Sequence, residues 1–146
     1  MKKTSLLILL VILTAIVGSS ACAKNYTTSS DFDLVLFYGK GCPHCAKEEL
    51  FLQSIEEKYP TLKVHRYEVY FNDTDREMMQ AMAKAYNIDV SGVPMTFIGD
   101  NVITGYSDAL GKSIENEIRN CVENGCISPF DKVASTETVA ISGNAS

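Results

Sequence analysis

Leu34-Val35-Leu36-Phe37-Tyr38 is followed, after only Gly39, Lys40 and Gly41, by Cys42-Pro43-His44-Cys45 and then by a helical pattern. This junction restricts the fold more than any other stretch of the chain. An unbroken apolar run bounded by Asp33 and Gly39 reads as a strand buried on both faces, as in a parallel sheet. Pro43 suits the first turn of a helix, where its missing N–H costs nothing. Behind it Ala46, Leu50, Phe51, Ile55 and Tyr59 recur at helical spacing, which places Lys47, Glu48, Glu49, Glu56 and Glu57 outside. Pro60 stops the helix.

The remaining chain supplies partners for that unit. Lys63 to Tyr70 is β-branched and aromatic but mixed in polarity, which predicts an edge strand. Asn72, Asp73 or Thr74 can cap a helix with Met78, Met82 and Ala85 inside and Asn87 at its end. Met95–Ile98 and Val102–Thr104 read as a hairpin around Gly99-Asp100-Asn101. Ser107 caps a last helix with Leu110, Ile114, Ile118 and Cys121 on one face, and Gly125 ends it. The order is βαβαββα: an α/β fold with a central mixed sheet flanked by helices, because a right-handed crossover must cover the sheet. With 146 residues, 46% of them hydrophobic, the chain suffices for one domain. Its net charge of −5 does not point to a nucleic-acid partner, because phosphate binding needs a basic face.

The N-terminus carries a separate message. Lys2 and Lys3 precede an aliphatic stretch from Leu6 to Leu13 and small residues through Ala21-Cys22-Ala23, the pattern of a secretory signal peptide over residues 1–23. Lipidation of Cys22 and an uncleaved membrane anchor are the two other readings of the same segment. Residues 24–32 then form a linker, residues 33–130 the domain, and residues 131–146, rich in Ser, Thr and Ala, a disordered tail. The location expected is extracytoplasmic: periplasm, cell envelope or secreted, with a membrane-anchored form as the variant.

Removing the signal leaves four thiols, Cys42, Cys45, Cys121 and Cys126, an even count that fits two pairs in an exported chain. Cys42 at a helix start meets unpaired N–H groups and the positive end of the helix dipole, both of which favour a thiolate. His44, when protonated, and Lys40 act in the same direction. Cys45, one turn in and nearer the core, would act second by resolving a mixed disulfide. Two blander readings compete: a small structural disulfide, which closes too short a loop to stabilise much, and half of a zinc or copper site. Haem attachment is excluded, since Ala46 and not His follows Cys45. Cys121 and Cys126 flank the glycine end of the last helix, where a structural disulfide fits best, with a second redox relay or free thiols as alternatives. Met78, Met79 and Met82 resemble a copper-type methionine patch, but core packing on a helix explains two of them.

The stretch from Phe37 to Cys45 resembles the active-site region of the thioredoxin superfamily. Its Gly-Cys-Pro-aromatic-Cys form is similar to glutaredoxins, and its Pro43-His44 pair to the oxidases of DsbA type. Gly92-Val93-Pro94-Met95-Thr96 resembles the segment that carries that superfamily's cis-proline, and Ile103 to Asp108 the glycine turn and acidic helix start of glutaredoxins. The resemblance covers about Asp33 to Val122. It implies a thioredoxin-like fold, a cis Pro94 beside the cysteines, and a Val93 backbone that pairs with a substrate strand. Three departures accompany it. The segment between Cys45 and Pro94 has no room for the helical insertion of DsbA-type proteins. Leu36 stands where thioredoxins keep a buried carboxylate. Gly92 and Tyr106 occupy positions of the glutaredoxin glutathione site, which weakens that site here.

The expected activity is thiol–disulfide exchange with protein substrates through Cys42 and Cys45, tuned by Pro43 and His44 and docked by Val93 and Pro94. As reductase or oxidase it needs no metal or organic cofactor. It does need recycling by a membrane redox partner, either a CcdA/DsbD-like transporter or a quinone-linked oxidase. The alternative is an extracytoplasmic copper- or metal-binding chaperone module of the same fold.

Overall fold

The computed structural model describes residues 31–142. The proposed signal peptide and all but the last two residues of the proposed linker lie outside them. Four strands, β1 (Phe32–Tyr38), β2 (Leu62–Glu68), β3 (Met95–Ile98) and β4 (Asn101–Thr104), and four helices, α1 (Pro43–Lys58), α2 (Asp73–Ala85), α3 (Asp108–Asn124) and α4 (Pro129–Ser142), follow in the order βαβαββαα. The sheet order is β2-β1-β3-β4. β1 and β2 run parallel, joined through α1, while β1–β3 and β3–β4 are antiparallel. The sheet is therefore mixed.

The central strand explains its own composition. Successive β1 side chains point to opposite faces, and both faces are covered. Leu34 and Leu36 join Leu52 and Ile55 of α1 and Ile114 and Ile118 of α3 in one cluster. Val35 and Phe37 join Met79 and Met82 of α2 and Met95 and Phe97 of β3 in the other. Met79 and Met82 are thus core residues, with Met78 partly buried against them. β2, with one long edge open, keeps a mixed sequence; its Arg66 donates to both Glu49 oxygens, at 2.8 and 3.0 Å, and to Glu56 at 2.6 Å, clamping α1 to the sheet edge.

Three boundaries differ from the sequence reading. β1 begins at Phe32, which is buried, so the domain takes in the end of the expected linker. The hairpin turn is Gly99-Asp100, and Asn101 pairs with Ile98 inside the ladder. The largest difference is at the C-terminus: residues 131–142 of the expected disordered tail belong to α4. Ser128 starts this helix, accepting from Phe130 N at 3.3 Å while donating to Asp33 at 2.6 Å. Phe130 and Val133 pack against the second cluster, and the Phe130 ring meets His65 edge-on at 4.9 Å. Lys132 bonds Asp100 at 2.7 Å and lies 4.3 Å from the Tyr86 ring centre. Two apolar side chains and a few polar ties to distant residues hold a segment whose own composition predicts no order. Phe130→Ala is expected to cost about 1–2 kcal/mol in urea unfolding, less than a fully buried ring; a change within about 0.5 kcal/mol, the size of a surface substitution, would show that α4 does not dock.

Within α1 the inward face also differs. Cys45, Glu48, Leu52 and Ile55 are buried, whereas Leu50 is exposed. Glu48, read as outward, is 1% exposed. In α3 the buried face is Gly111, Ile114, Ile118 and Cys121. Cys121 and Cys126 are joined in a disulfide across the helix end, with Cα atoms 4.9 Å apart; Gly125, at φ +72°, makes the turn between them.

Candidate active site

The loop from β1 to α1 is held before chemistry is considered. Gly41 adopts φ +84°, a conformation a side chain would resist. A Cβ on Gly39 would overlap the Tyr70 ring. Glu68, at the end of β2, accepts from the backbone N–H groups of Lys40 at 3.1 Å, Tyr70 at 3.0 Å and Phe71 at 2.9 Å. Burial opposes its charge, but these three donors hold the Glu68 carboxyl below its ordinary range. One carboxylate thereby fixes both the loop that carries Cys42 and the loop beside it.

Cys42 is the N-cap of α1, and its sulfur accepts from Cys45 N at 3.3 Å. A thiolate there would face unpaired helix N–H groups. The same sulfur lies 3.9 Å from the Val93 carbonyl oxygen, and the Val93–Pro94 bond is cis. Neither cysteine is in a disulfide; Cys42 is partly exposed and Cys45 is 3% exposed. Burial, reinforced by the Cys42 sulfur, pushes the Cys45 thiol up to about 12. The two sulfurs therefore differ in access and environment as the sequence anticipates: an outer one at a helix mouth, and an inner one against the core.

The structure brings every candidate at this end together. Pro43 occupies the first turn of α1. His44 is exposed, its Nδ1 3.3 Å from the Tyr106 carbonyl oxygen in the loop after β4. Beside Cys42 opens a cleft of about 430 Å³, lined among others by Tyr38, Lys40, Pro43, Ala46 and Arg66. Cys121 and Cys126 do not join the cluster; they sit beside Gly99, at the far end of β3 from Pro94. Among the described residues no group of three or more His, Cys, Asp or Glu side chains is placed to hold a metal ion. Nor is any described helix long and apolar enough to cross a membrane.

Sequence reasoning missed two carboxylates here. Glu68 gives no local signal, because its partners are backbone groups of two loops. Glu48 does give one: it falls three after Cys45 and four before Leu52, on the stripe that a helix counted from Cys45 would bury. Its Oε1 accepts a hydrogen bond from Thr96 of β3, and its Oε2 is buried without a hydrogen-bond partner. Burial pushes the Glu48 carboxyl up to about 7, against the pull of the Thr96 bond, with Glu49 adding to the rise.

The sequence matches no protein-family model and no curated protein. Solved structures do match. A Chlorobium tepidum protein assigned as thiol:disulfide interchange protein DsbE is 14% identical with a TM-score of 0.50, over 64% of this chain and 82% of that one. Thioredoxin from Trypanosoma brucei brucei is 15% identical with a TM-score of 0.45, over 66% and 80%. Glutaredoxin from Archaeoglobus fulgidus is 17% identical with a TM-score of 0.44, over 59% and 85%. The first of these likenesses, with the sheet order and connections described above, shows a thioredoxin-like fold.

Proposed function

We propose that this thioredoxin-fold chain is an exported thiol–disulfide oxidoreductase that exchanges disulfides with protein substrates through Cys42 and Cys45. The observation that supports it most is the asymmetry of the pair: a partly exposed sulfur capping α1, with a buried thiol one turn behind it. In the reducing direction the Cys42 thiolate attacks a substrate disulfide, and one substrate sulfur leaves as a thiolate. Cys45 then attacks Cys42 Sγ, the second substrate thiolate leaves, and the Cys42–Cys45 disulfide holds the oxidised state. The substrate has gained two electrons. Run backwards, the same steps oxidise a dithiol.

The other residues take supporting roles in this reading. The helix start and His44 favour the thiolate and so the reduced couple, with Pro43 fixing the turn. The Val93 carbonyl and Pro94 present a backbone edge next to the reactive sulfur on which an extended peptide can lie. Cys121–Cys126 is a structural staple for the end of α3. Residues 1–23 direct export, and a membrane redox partner, a CcdA/DsbD-like transporter or a quinone-linked oxidase, restores the couple after each turnover.

Equilibration with glutathione buffers tests the proposal and gives its direction. The pair is expected to titrate as one two-electron step. A potential near about −270 mV, as in thioredoxin, makes it a reductase, and one near about −120 mV, as in DsbA, an oxidase. Stoichiometric Cu(I) binding by the pair without disulfide exchange would overturn it in favour of a metal-binding module.

A further inference from the structure

Cys45 faces a difficulty that the exchange reading leaves open. It must lose a proton to become a nucleophile, yet it is buried, and its burial favours the neutral thiol. The strand beneath it offers apolar Leu36, also fully buried. Among the described residues the buried polar side chains are Glu48, Glu68 and Thr96. Glu68 spends both oxygens on backbone N–H groups at the end of β2. Thr96 donates its hydroxyl to Glu48.

We infer that Glu48 is the proton acceptor for Cys45 in the resolving step, with Thr96 as its positioning residue. The inference rests on the exchange reading of Cys42 and Cys45. Three features of the geometry carry it. Glu48 stands three residues beyond Cys45 on the same face of α1, so the two side chains are neighbours one turn apart. Thr96, which pairs with Leu36 across the β1–β3 ladder and so points to the α1 face of the sheet, fixes Oε1. Oε2 remains buried and unpartnered, an oxygen with a lone pair to offer in a place water reaches poorly.

In the mixed disulfide, Cys42 Sγ is bonded to a substrate sulfur. The Cys45 proton passes to Glu48 as the Cys45 sulfur forms its bond to Cys42 Sγ. The bond from Cys42 to the substrate breaks, and the substrate sulfur leaves with the electron pair as a thiolate. Glu48 then gives the proton to that thiolate or to solvent, and no other oxidant or reductant is needed.

The electrostatics agree. A carboxyl held at about 7 is divided between acid and base at neutral pH, the condition under which one group can both take and return a proton. Part of what raises Cys45 is its bond to, and the charge of, the Cys42 sulfur; both end when Cys42 enters the mixed disulfide. The remaining gap is bridged because proton loss accompanies S–S bond formation and need not precede it. Thr96 on β3 is hydrogen-bonded to Glu48; the titratable groups that feel its charge or add to its own rise are Cys45 and Glu49 on its own helix and Tyr106 in the loop after β4, whose phenol is raised first by burial and also by the Asp108 and Glu48 charges. Glu49 is itself held by Arg66.

The test is stopped-flow reaction of the reduced protein with one equivalent of 5,5′-dithiobis(2-nitrobenzoate). Attack by Cys42 releases one thionitrobenzoate, and displacement by Cys45 releases a second. In the wild type the second phase is expected to rise with pH and level off near 7. Glu48→Gln should leave the first phase unchanged and slow the second by roughly 100-fold at pH 7, the lower end of general-base effects. Its rate should keep climbing into alkaline pH with no inflection near 7. A purely structural role would lower the rate without changing the shape of that profile. Glu48→Gln matching the wild type, or keeping its profile shape, overturns the assignment of Glu48 alone. A wild type that releases a single equivalent overturns the exchange reading beneath it.

Discussion

Cys42→Ser is expected to abolish disulfide exchange, reducing insulin reduction or dithiol oxidation by on the order of 10³-fold or more, as loss of a covalent nucleophile does elsewhere. The thiolate is the attacking species, and a serine hydroxyl at the same helix mouth stays protonated at neutral pH without an adjacent base to activate it. His44, two residues along the chain, has its Nδ1 directed to the Tyr106 carbonyl. Cys45→Ser should behave differently. Cys42 keeps its cap position and can still attack, but nothing resolves the product, so the variant should accumulate as a mixed disulfide with glutathione or a substrate protein, visible by mass spectrometry. Exchange that survives Cys42→Ser, or a Cys45→Ser variant that traps nothing, would contradict the assigned order of attack.

What was legible in the sequence was what depends on near neighbours. The apolar run of β1, the Cys-Pro-His-Cys spacing and the glycine stop at Gly125 each declare themselves within a few residues, and all three stand in the structure. β2 announced an edge because its polarity is mixed, and the structure puts it there. What could not be read depends on groups brought from afar. α4 is ordered by Asp33, Tyr86 and Asp100, none of them near it in the chain. Glu68 matters through the amides of Lys40, Tyr70 and Phe71. Glu48 is hidden in the sequence for another reason: a charged side chain ordinarily faces solvent, and an apolar stripe counted from Ala46 turns Glu48 outward, away from Cys45. That general rule fails where a buried carboxylate has a partner and a use.

Glu48 also leaves a mark on stability that needs no assumption about activity. Its carboxyl titrates at about 7 in the fold against the ordinary glutamate value of 4.5. Because the folded value is the higher one, the folded state binds more protons than the unfolded chain between those limits, and stability falls as pH rises through that window. Below 4.5 the side chain is protonated in both states and contributes no pH dependence; above about 7 the full cost of a buried charge is present. The gap corresponds to about 3 kcal/mol, an order-of-magnitude figure for a group so thoroughly enclosed. Glu48→Gln keeps the shape and the oxygen that accepts from Thr96, and its amide resembles the protonated acid, so the two proteins should be nearly equal at pH 4. By pH 8 the variant should be more stable by roughly 2–3 kcal/mol, read from urea midpoints at matched slope. Glu68, whose carboxylate is held by backbone N–H groups at the end of β2, is common to both proteins and drops out of the difference. Parallel stability curves from pH 4 to pH 8 would mean that Glu48 is solvated like a surface glutamate, and its place beneath Cys45 would have to be abandoned.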